Sequence, residues 1–404
     1  MRLIIANLDC EAAFAESAGV SRYHPSRDVA QRIAALGTLM AAFGRDGDVV
    51  WTPLPVDPAR VAGPVAVTLH SGAIKSLPRP EAMLAWGETA EVATWRAAIR
   101  TGRRWPGNEH SVAAPHSAGH DGPHHAPGDA PTVVPDDATT DVTARLWALP
   151  ADAEAAWRCN DRRFCVPIQE ALGCRLPGSA VIDSLAGLRA HLATLDLDPD
   201  HGWVLKAPFS ASGRLRVRRR GRDLDADIAT RIERLLTRFG ALCFEPWMER
   251  LLDLGCLGMI EDADTWRILP PHRLETDHAG VFRGIAVDPD ASWLAPDERD
   301  AVARAANGAA RALARAGYRG PFGIDGFVYR RAGERALQPM CEINARLSFG
   351  FVAHALAQRL GHAALRLCVG AAMPRPTTDQ DTCIVPLLHP GPGDDVAAWA
   401  ALSR

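Results

Sequence analysis

Lysine is nearly missing from this 404-residue chain: Lys75 and Lys206 are the only two, although lysine and arginine together number 45. An ammonium is a compact point charge and a guanidinium a broad planar fork. A lysine kept against such a bias marks a place where the fork would not serve, and this singles out Lys206. The chain also lacks any apolar run of about 18 residues, which argues against a transmembrane helix. The short apolar start, Leu3 to Ala6, meets Asp9 and Glu11 at once and predicts a buried first strand rather than a signal peptide. No C-x-x-C pair occurs. Nine scattered cysteines, an odd number, argue against a disulfide framework or a zinc site and fit a reducing cytoplasm. Cys10, Cys165, Cys243, Cys256 and Cys341 sit among apolar neighbours and are expected to act as small core residues. The net charge of −3 gives no bulk attraction to nucleic acid or an anionic membrane. There is no G-K-[ST] phosphate loop, no G-x-S-x-G nucleophile elbow and no convincing Cys-His pair.

What is present is an ordinary soluble composition, 47% hydrophobic and 23% charged, long enough for two or three packed cores. Strand and helix patterns alternate over the first hundred residues: strands at 3–8, 49–51 and 65–69, helices at 27–43 and 81–100. Such alternation predicts a mainly parallel α/β sheet. Residues 106–141 are rich in Gly, Pro, Ala, Asp and His and read as an insertion that buries too little to order itself. Its five histidines, His110, His116, His120, His124 and His125, allow either a metal-binding tract or a solvated loop. After it we expect a short strand at 145–149, helices at 161–172 and 185–195, a strand at 203–206 and a helix at 228–239. Further strands are expected at 241–246, 254–260, 323–329 and 337–344, with helices at 298–316 and 352–360. The domain plan is then a unit at 1–150, two subdomains of a second fold at 151–250 and 251–375, and a C-terminal tail at 376–404.

Four features carry chemistry, in a definite order. First, the strand Trp203-Val204-Leu205-Lys206 delivers its lysine into a small-residue loop ending Ser210-Ala211-Ser212-Gly213, whose backbone N–H groups can approach phosphate oxygens. Alone it is a weak signal, and a plain β-turn fits it better. Second, Glu245-Pro246-Trp247-Met248-Glu249 places a carboxylate before a stiffened connector. Third, Asp325 interrupts an apolar strand. Fourth, Glu342, Asn344 and Arg346 alternate with Ile343 and Ala345, so the polar three share one face of an extended strand. Two carboxylates and an amide oxygen are hard ligands, suited to Mg²⁺ shared with phosphates. An arginine beside them can hold a phosphoryl oxygen.

That order, lysine and small-residue loop, hinge glutamate, metal aspartate, then Glu-x-Asn-x-Arg, resembles the ATP-grasp superfamily over about residues 150–375. The resemblance implies an α/β (α+β) fold: a Rossmann-like pre-ATP-grasp domain followed by a two-subdomain ATP-grasp fold. It implies that Lys206, Arg163, Ser210, Ser212 and Gly213 approach the phosphates and that Glu245 and the Met248 backbone meet adenine. Glu249 or Asp253 would hold the ribose. Asp325, Glu342 and Asn344 would bind two Mg²⁺, with Mn²⁺ as an alternative, and Arg346 would stabilise an acyl phosphate. The loop departs from the pattern, having one glycine where many members have several. The activity implied is a carboxylate–amine ligase using ATP, with small-molecule or peptide partners and a homodimer admitted. A kinase of the same fold and an ATP-binding protein with little turnover are the alternatives.

Other polar segments leave choices open. The arginine run at 214–222 reads as a solvated hairpin or a nucleic-acid stripe, with Arg214 near the triphosphate. Arg267, Arg273 and Arg283 either line an acceptor pocket or form surface ion pairs.

Overall fold

Leu3, Ile4 and Ile5 are fully buried, and they form β1 (Leu3–Ile5) inside the first sheet. Our computed structural model describes residues 1–21, 24–101, 132–133, 141–196, 202–210, 215–277, 281–371, 382–391 and 396–403. The first unit continues through α1 (Cys10–Ser17), α2 (Arg27–Gly37), β2 (Val49–Thr52), β3 (Thr68–Ser71), β4 (Met83–Ala85) and α3 (Ala90–Thr101). Its strands are all parallel in the order β3-β2-β1-β4. A parallel sheet is covered on both faces, so its strands read as apolar runs without alternation. The strand order reverses between β1 and β4, which opens a crevice at their carboxyl ends. Asn7 ties that crevice together, donating to the Gly87 carbonyl at 2.8 Å and accepting from the Gly87 amide at 3.1 Å.

The helix expected over 81–100 is replaced at its start by β4. Leu3 and Ile5 of β1 pair with Met83 and Ala85, and that sheet edge outweighs local helical spacing. Likewise the strand expected at 65–69 lies at Thr68–Ser71, where β2 offers its edge.

The chain then runs through β5 (Thr132–Val133), α4 (Val142–Ala148), α5 (Ala153–Cys159) and α6 (Arg162–Ala171). Residues 145–149, expected as a strand, lie in α4 and its end. Asp141 caps α4 by accepting from the Ala144 amide at 2.9 Å, and such a cap commits the turn to helix. The remaining insertion, with its five histidines, falls outside the described residues.

A second, antiparallel sheet of order β6-β9-β7-β8 comprises β6 (Ala180–Ile182), α7 (Leu185–Thr194), β7 (Trp203–Lys206), β8 (Arg216–Arg219), α8 (Ala226–Phe239) and β9 (Leu242–Pro246). Helix α8 buries Ile232, Leu235, Leu236 and Phe239, an i, i+3, i+4, i+7 stripe, against this sheet. Gly240 ends it at φ 74°, where a side chain would be strained.

The third sheet holds β10 (Glu249–Ile260), β11 (Thr265–Ile268), β12 (His272–Thr276), β13 (Phe282–Val287), β14 (Gly320–Arg331), β15 (Glu334–Asn344), β16 (Leu365–Gly370), β17 (Thr382–Leu388) and β18 (Ala397–Ser403). Two helices pack on it, α9 (Pro296–Arg315) and α10 (Phe349–Leu360). Small residues of α9 (Ala305, Ala306, Ala309, Ala310) let its axis approach the sheet closely. The segment at 376–404, expected as a tail, supplies β17 and β18, which extend the sheet beyond β16. All nine cysteines carry free thiols. Among the described residues no helix is long and apolar enough to cross a membrane.

Phe322 of β14 is fully buried, and its ring fills the space a Cβ on Gly258 would need, 2.3 Å away. Phe322→Ala should therefore lower the unfolding free energy by about 3–5 kcal/mol. Urea titration checks this, and a loss too small to measure would mean the site collapses around the missing ring.

Candidate functional site

One rung of the third sheet sets the site. Glu342 of β15 stands opposite Asp325 of β14, which stands opposite Gly255 of β10, which stands opposite His272 of β12. Paired residues point to the same face. Gly255 carries no side chain because the His272 ring lies over it: a Cβ there would sit 2.5 Å from Nε2. Gly350 of α10 makes room for the same ring, 2.8 Å from a would-be Cβ. The floor beside the carboxylates is thus an imidazole held between two glycines. Burial holds His272 down to about 3 and His354, the edge-on neighbour of its ring, to about 4, so both are neutral.

Two carboxylates on opposed residues repel each other when buried. Burial first, and then Glu342, push the Asp325 carboxyl up to about 7. Glu342 goes the other way. Burial would raise it, but Arg162 and Lys206 outweigh that and hold it below the usual carboxylate range. Of the two, Asp325 is the one pushed toward the protonated form. Asn344 donates to Asp325 Oδ2 at 3.1 Å and accepts from Arg346 Nη2 at 3.0 Å.

The second sheet supplies the cations. Lys206 ends β7 and donates to Glu245 Oε2 of β9 at 2.7 Å. Burial would lower this ammonium, but the Glu245 carboxylate more than compensates, so Lys206 stays charged. A cavity of about 1030 Å³ lies between the two sheets. Lys206, Ser210, Met248, Glu249, Asp253, Asp325, Glu342, Arg273 and Arg283, all expected from sequence, line it. Ser212 and Gly213, with Arg214, lie outside the described residues. Asn344 and Arg346 sit behind the cavity wall, linked to it through Asp325.

Three expected residues fall elsewhere: Glu245, paired with Lys206, does not line this cavity, nor do Arg163 and Arg267. Arg163 turns outward onto Asp161, with Nε at 2.9 Å from Oδ1, and does not line the cavity. Its neighbour Arg162 takes the inward place. It donates to the Ala207 carbonyl (2.6 Å), the Ser210 hydroxyl (2.8 Å) and carbonyl (2.8 Å), and Glu342 Oε1 (2.8 Å). Arg162 thus bridges the loop after β7 to the carboxylates. The signal was in the helix period: Arg162, Cys165 and Gln169 share the inward face of α6 at i, i+3 and i+7, while the capping aspartate Asp161 holds Arg163. Arg267 is also away from the cavity, paired with Glu261 at 3.2 Å, because β11 carries it past the end of the cleft.

Others were not foreseen. Arg216, Trp247, Arg250, Cys341 and Arg366 line the cavity too. Trp247 lies under Arg218 (3.9 Å to the ring centre) and near Arg250 (5.2 Å), which also covers Phe327 (4.2 Å). The arginine run thus meets an aromatic ring only across the connector from β9. Asp253 accepts from Arg250 at 2.8 Å and from the Thr276 hydroxyl at 2.8 Å. Glu249 lies near Arg330 at 3.2 Å.

With this geometry in hand, the chain can be set beside known proteins. No family profile and no curated protein matches it. Solved structures do. Biotin carboxylase of Campylobacter jejuni, in a β,γ-ATP complex, aligns over 100% of this chain and 87% of its own at 10% identity and a TM-score of 0.56. The biotin carboxylase domain of Hydrogenobacter thermophilus 2-oxoglutarate carboxylase, a dimer with MgADP, ADP and bicarbonate, aligns over 100% and 86% at 10% identity and 0.54. N5-carboxyaminoimidazole ribonucleotide synthetase of Thermus thermophilus aligns over 100% and 94% at 15% identity and 0.50. The class these likenesses define is the ATP-grasp fold. This chain has that fold, preceded by a parallel α/β unit.

The Asp325 proton gives a pH test. The folded group titrates near 7 and the unfolded one near 3.8, so the folded state holds a proton that the unfolded chain has released. The stability this contributes is full below pH 3.8 and is lost as pH rises through 7. The unfolding free energy of the metal-free protein minus that of Asp325→Asn should therefore fall between about pH 4 and 7. A flat or rising difference would show that Asp325 titrates normally.

Proposed function

We propose that this protein is an ATP-dependent ligase that activates a carboxylate as an acyl phosphate and joins it to an amine, releasing ADP and phosphate. The observation that carries the reading is the meeting of Lys206 and Arg162 with Asp325 and Glu342 at one cleft between two sheets. The cavity volume, about 1030 Å³, lies at the upper end of the range for small-ligand sites, about 300–1,000 Å³. In this reading residues 1–150 form the preceding unit, 151–250 the lid and 251–375 the base with the carboxylates.

The residues fit a divalent cation. Asp325 and Glu342 offer oxygen from adjacent strands, while Asn344, whose amide nitrogen faces Asp325 and whose oxygen accepts from Arg346, would have to turn to add its oxygen. No cluster of three or more His, Cys, Asp or Glu side chains forms a metal site among the described residues. The remaining positions would fall to phosphate oxygens and water, as is usual for Mg²⁺. Bound there, Mg²⁺ would offset the repulsion between phosphate and attacking carboxylate.

The chain's own groups do the rest. Lys206, held charged by Glu245, and Arg162, held by Glu342, present cations to phosphate oxygens in a partly dry cleft, where such charges act strongly. Asp253, fixed by Arg250 and Thr276, can accept from a ribose hydroxyl. The backbone at Met248 can meet the adenine edge. A carboxylate oxygen of the acid attacks the γ-phosphorus and ADP leaves. The amine nitrogen then attacks the acyl carbon, the C–O bond to phosphate breaks, and the amine gives up a proton. Positioning supplies much of the rate, so no protein nucleophile is needed.

The test is ADP and phosphate release with Mg²⁺ and pools of acids and amines. Release that needs both an acid and an amine supports the ligase. Release with one substrate and a stable phosphorylated product would make the protein a kinase, and nucleotide binding without release would make it a binding protein. Glu342→Ala with Asn344→Ala should abolish turnover, and unchanged turnover would sink the reading. Arg162→Ala should cost on the order of 10²-fold in kcat, the usual effect of losing one preorganised donor, and far more than Arg163→Ala. Equal losses would return the phosphate contact to Arg163.

A further inference from the structure

The parallel unit reaches into the site through α1. Glu11 stands in the first turn of that helix, its side chain only 9% exposed, and Arg346 is 14% exposed. Arg346 Nη2 lies 2.6 Å from Glu11 Oε1, an ion pair too bent to count as a hydrogen bond. The same nitrogen donates to Asn344 Oδ1 at 3.0 Å, and Nη1 donates to the Leu347 carbonyl at 2.9 Å. The turn itself is stitched to the first sheet, because the Leu347 amide donates to the Trp86 carbonyl at 2.8 Å and the guanidinium carbon lies 5.8 Å from the Trp86 ring.

A buried guanidinium needs a carboxylate, since an unpaired charge away from water is costly. Burial works against the charge on Arg346, and Glu11 offsets it most strongly, ahead of Cys10, Glu342 and Asp325. The last two are the ones the ligase reading gives to the cation. An arginine resting on them would compete with the metal. Among the described residues, the other oxygen of Glu11 accepts from the Cys10 thiol at 3.8 Å and from no other side chain.

We propose that Glu11 is a positioning residue that keeps Arg346 off Asp325 and Glu342, so that these two carboxylates are left to the metal. The inference rests on the ligase reading. It means that the site is completed by the preceding unit.

Mg²⁺ binding in the presence of ADP, followed by calorimetry on the full chain at about pH 8, well above the ordinary carboxylate range, tests it. Glu11→Gln should weaken Mg²⁺ on the order of tenfold, a common size for coupling between sites. Glu11→Asp, which keeps the charge, should recover most of the loss. In Glu11→Gln/Arg346→Gln affinity should return, because the released guanidinium is gone. A merely structural role would not be rescued by deleting a second buried side chain. Wild-type affinity in Glu11→Gln, or no recovery in the double variant, overturns the positioning role while the ligase reading stands. Failure of the wild-type protein to bind Mg²⁺ with ADP overturns both.

Discussion

Two carboxylates face each other across adjacent strands in a buried cleft, and the surrounding polar architecture answers their repulsion. Asp325 keeps a proton near neutral pH, Glu342 is drawn down by Arg162 and Lys206, and Asn344 hands a hydrogen bond from Arg346 to Asp325. Each cation comes from a different part of the chain: α6, the second sheet and the turn after β15. The carboxylates thus act as the point at which three separate elements must agree, and their order in the sequence is the order in which the fold delivers them.

Much of this was legible in the residues. The lone lysine closing an apolar strand, the acid inside Gly323-Ile324-Asp325-Gly326-Phe327 and the alternation of Glu342, Asn344 and Arg346 all put side chains on predictable faces, because a strand has period two. The long helices α8 and α9 were clear from apolar spacing and end signals. What stayed hidden was decided by partners distant in sequence. β4 is a strand only because β1 offers an edge, and β11 to β13 and β16 to β18 are half-exposed or mixed segments whose pairing the local pattern does not declare. At the site, Arg162 and Arg163 are chemically identical neighbours, and the helix period, together with the hold of the capping Asp161 on Arg163, decides which turns inward.

The cleft is also wired to its surroundings unevenly. On the side of the second sheet, Trp247 between Arg218 and Arg250 joins the connector to both sheets by stacking, which tolerates sliding. On the side of the parallel unit, Arg346 is tied by an ion pair and backbone hydrogen bonds, which do not. The cleft thus has a soft joint on one wall and a stiff one on the other.

The scarcity of lysine has a chemical consequence of its own. Mixed anhydrides acylate whatever free amine they meet, and most proteins carry many on their surface. This chain offers Lys75, Lys206 and its amino terminus, and Lys206 is locked in its protonated form against Glu245, without a lone pair to attack. Guanidinium groups, its other cations, stay charged and are poor nucleophiles at neutral pH. On the ligase reading, a protein so composed would be protected against being consumed by such an intermediate.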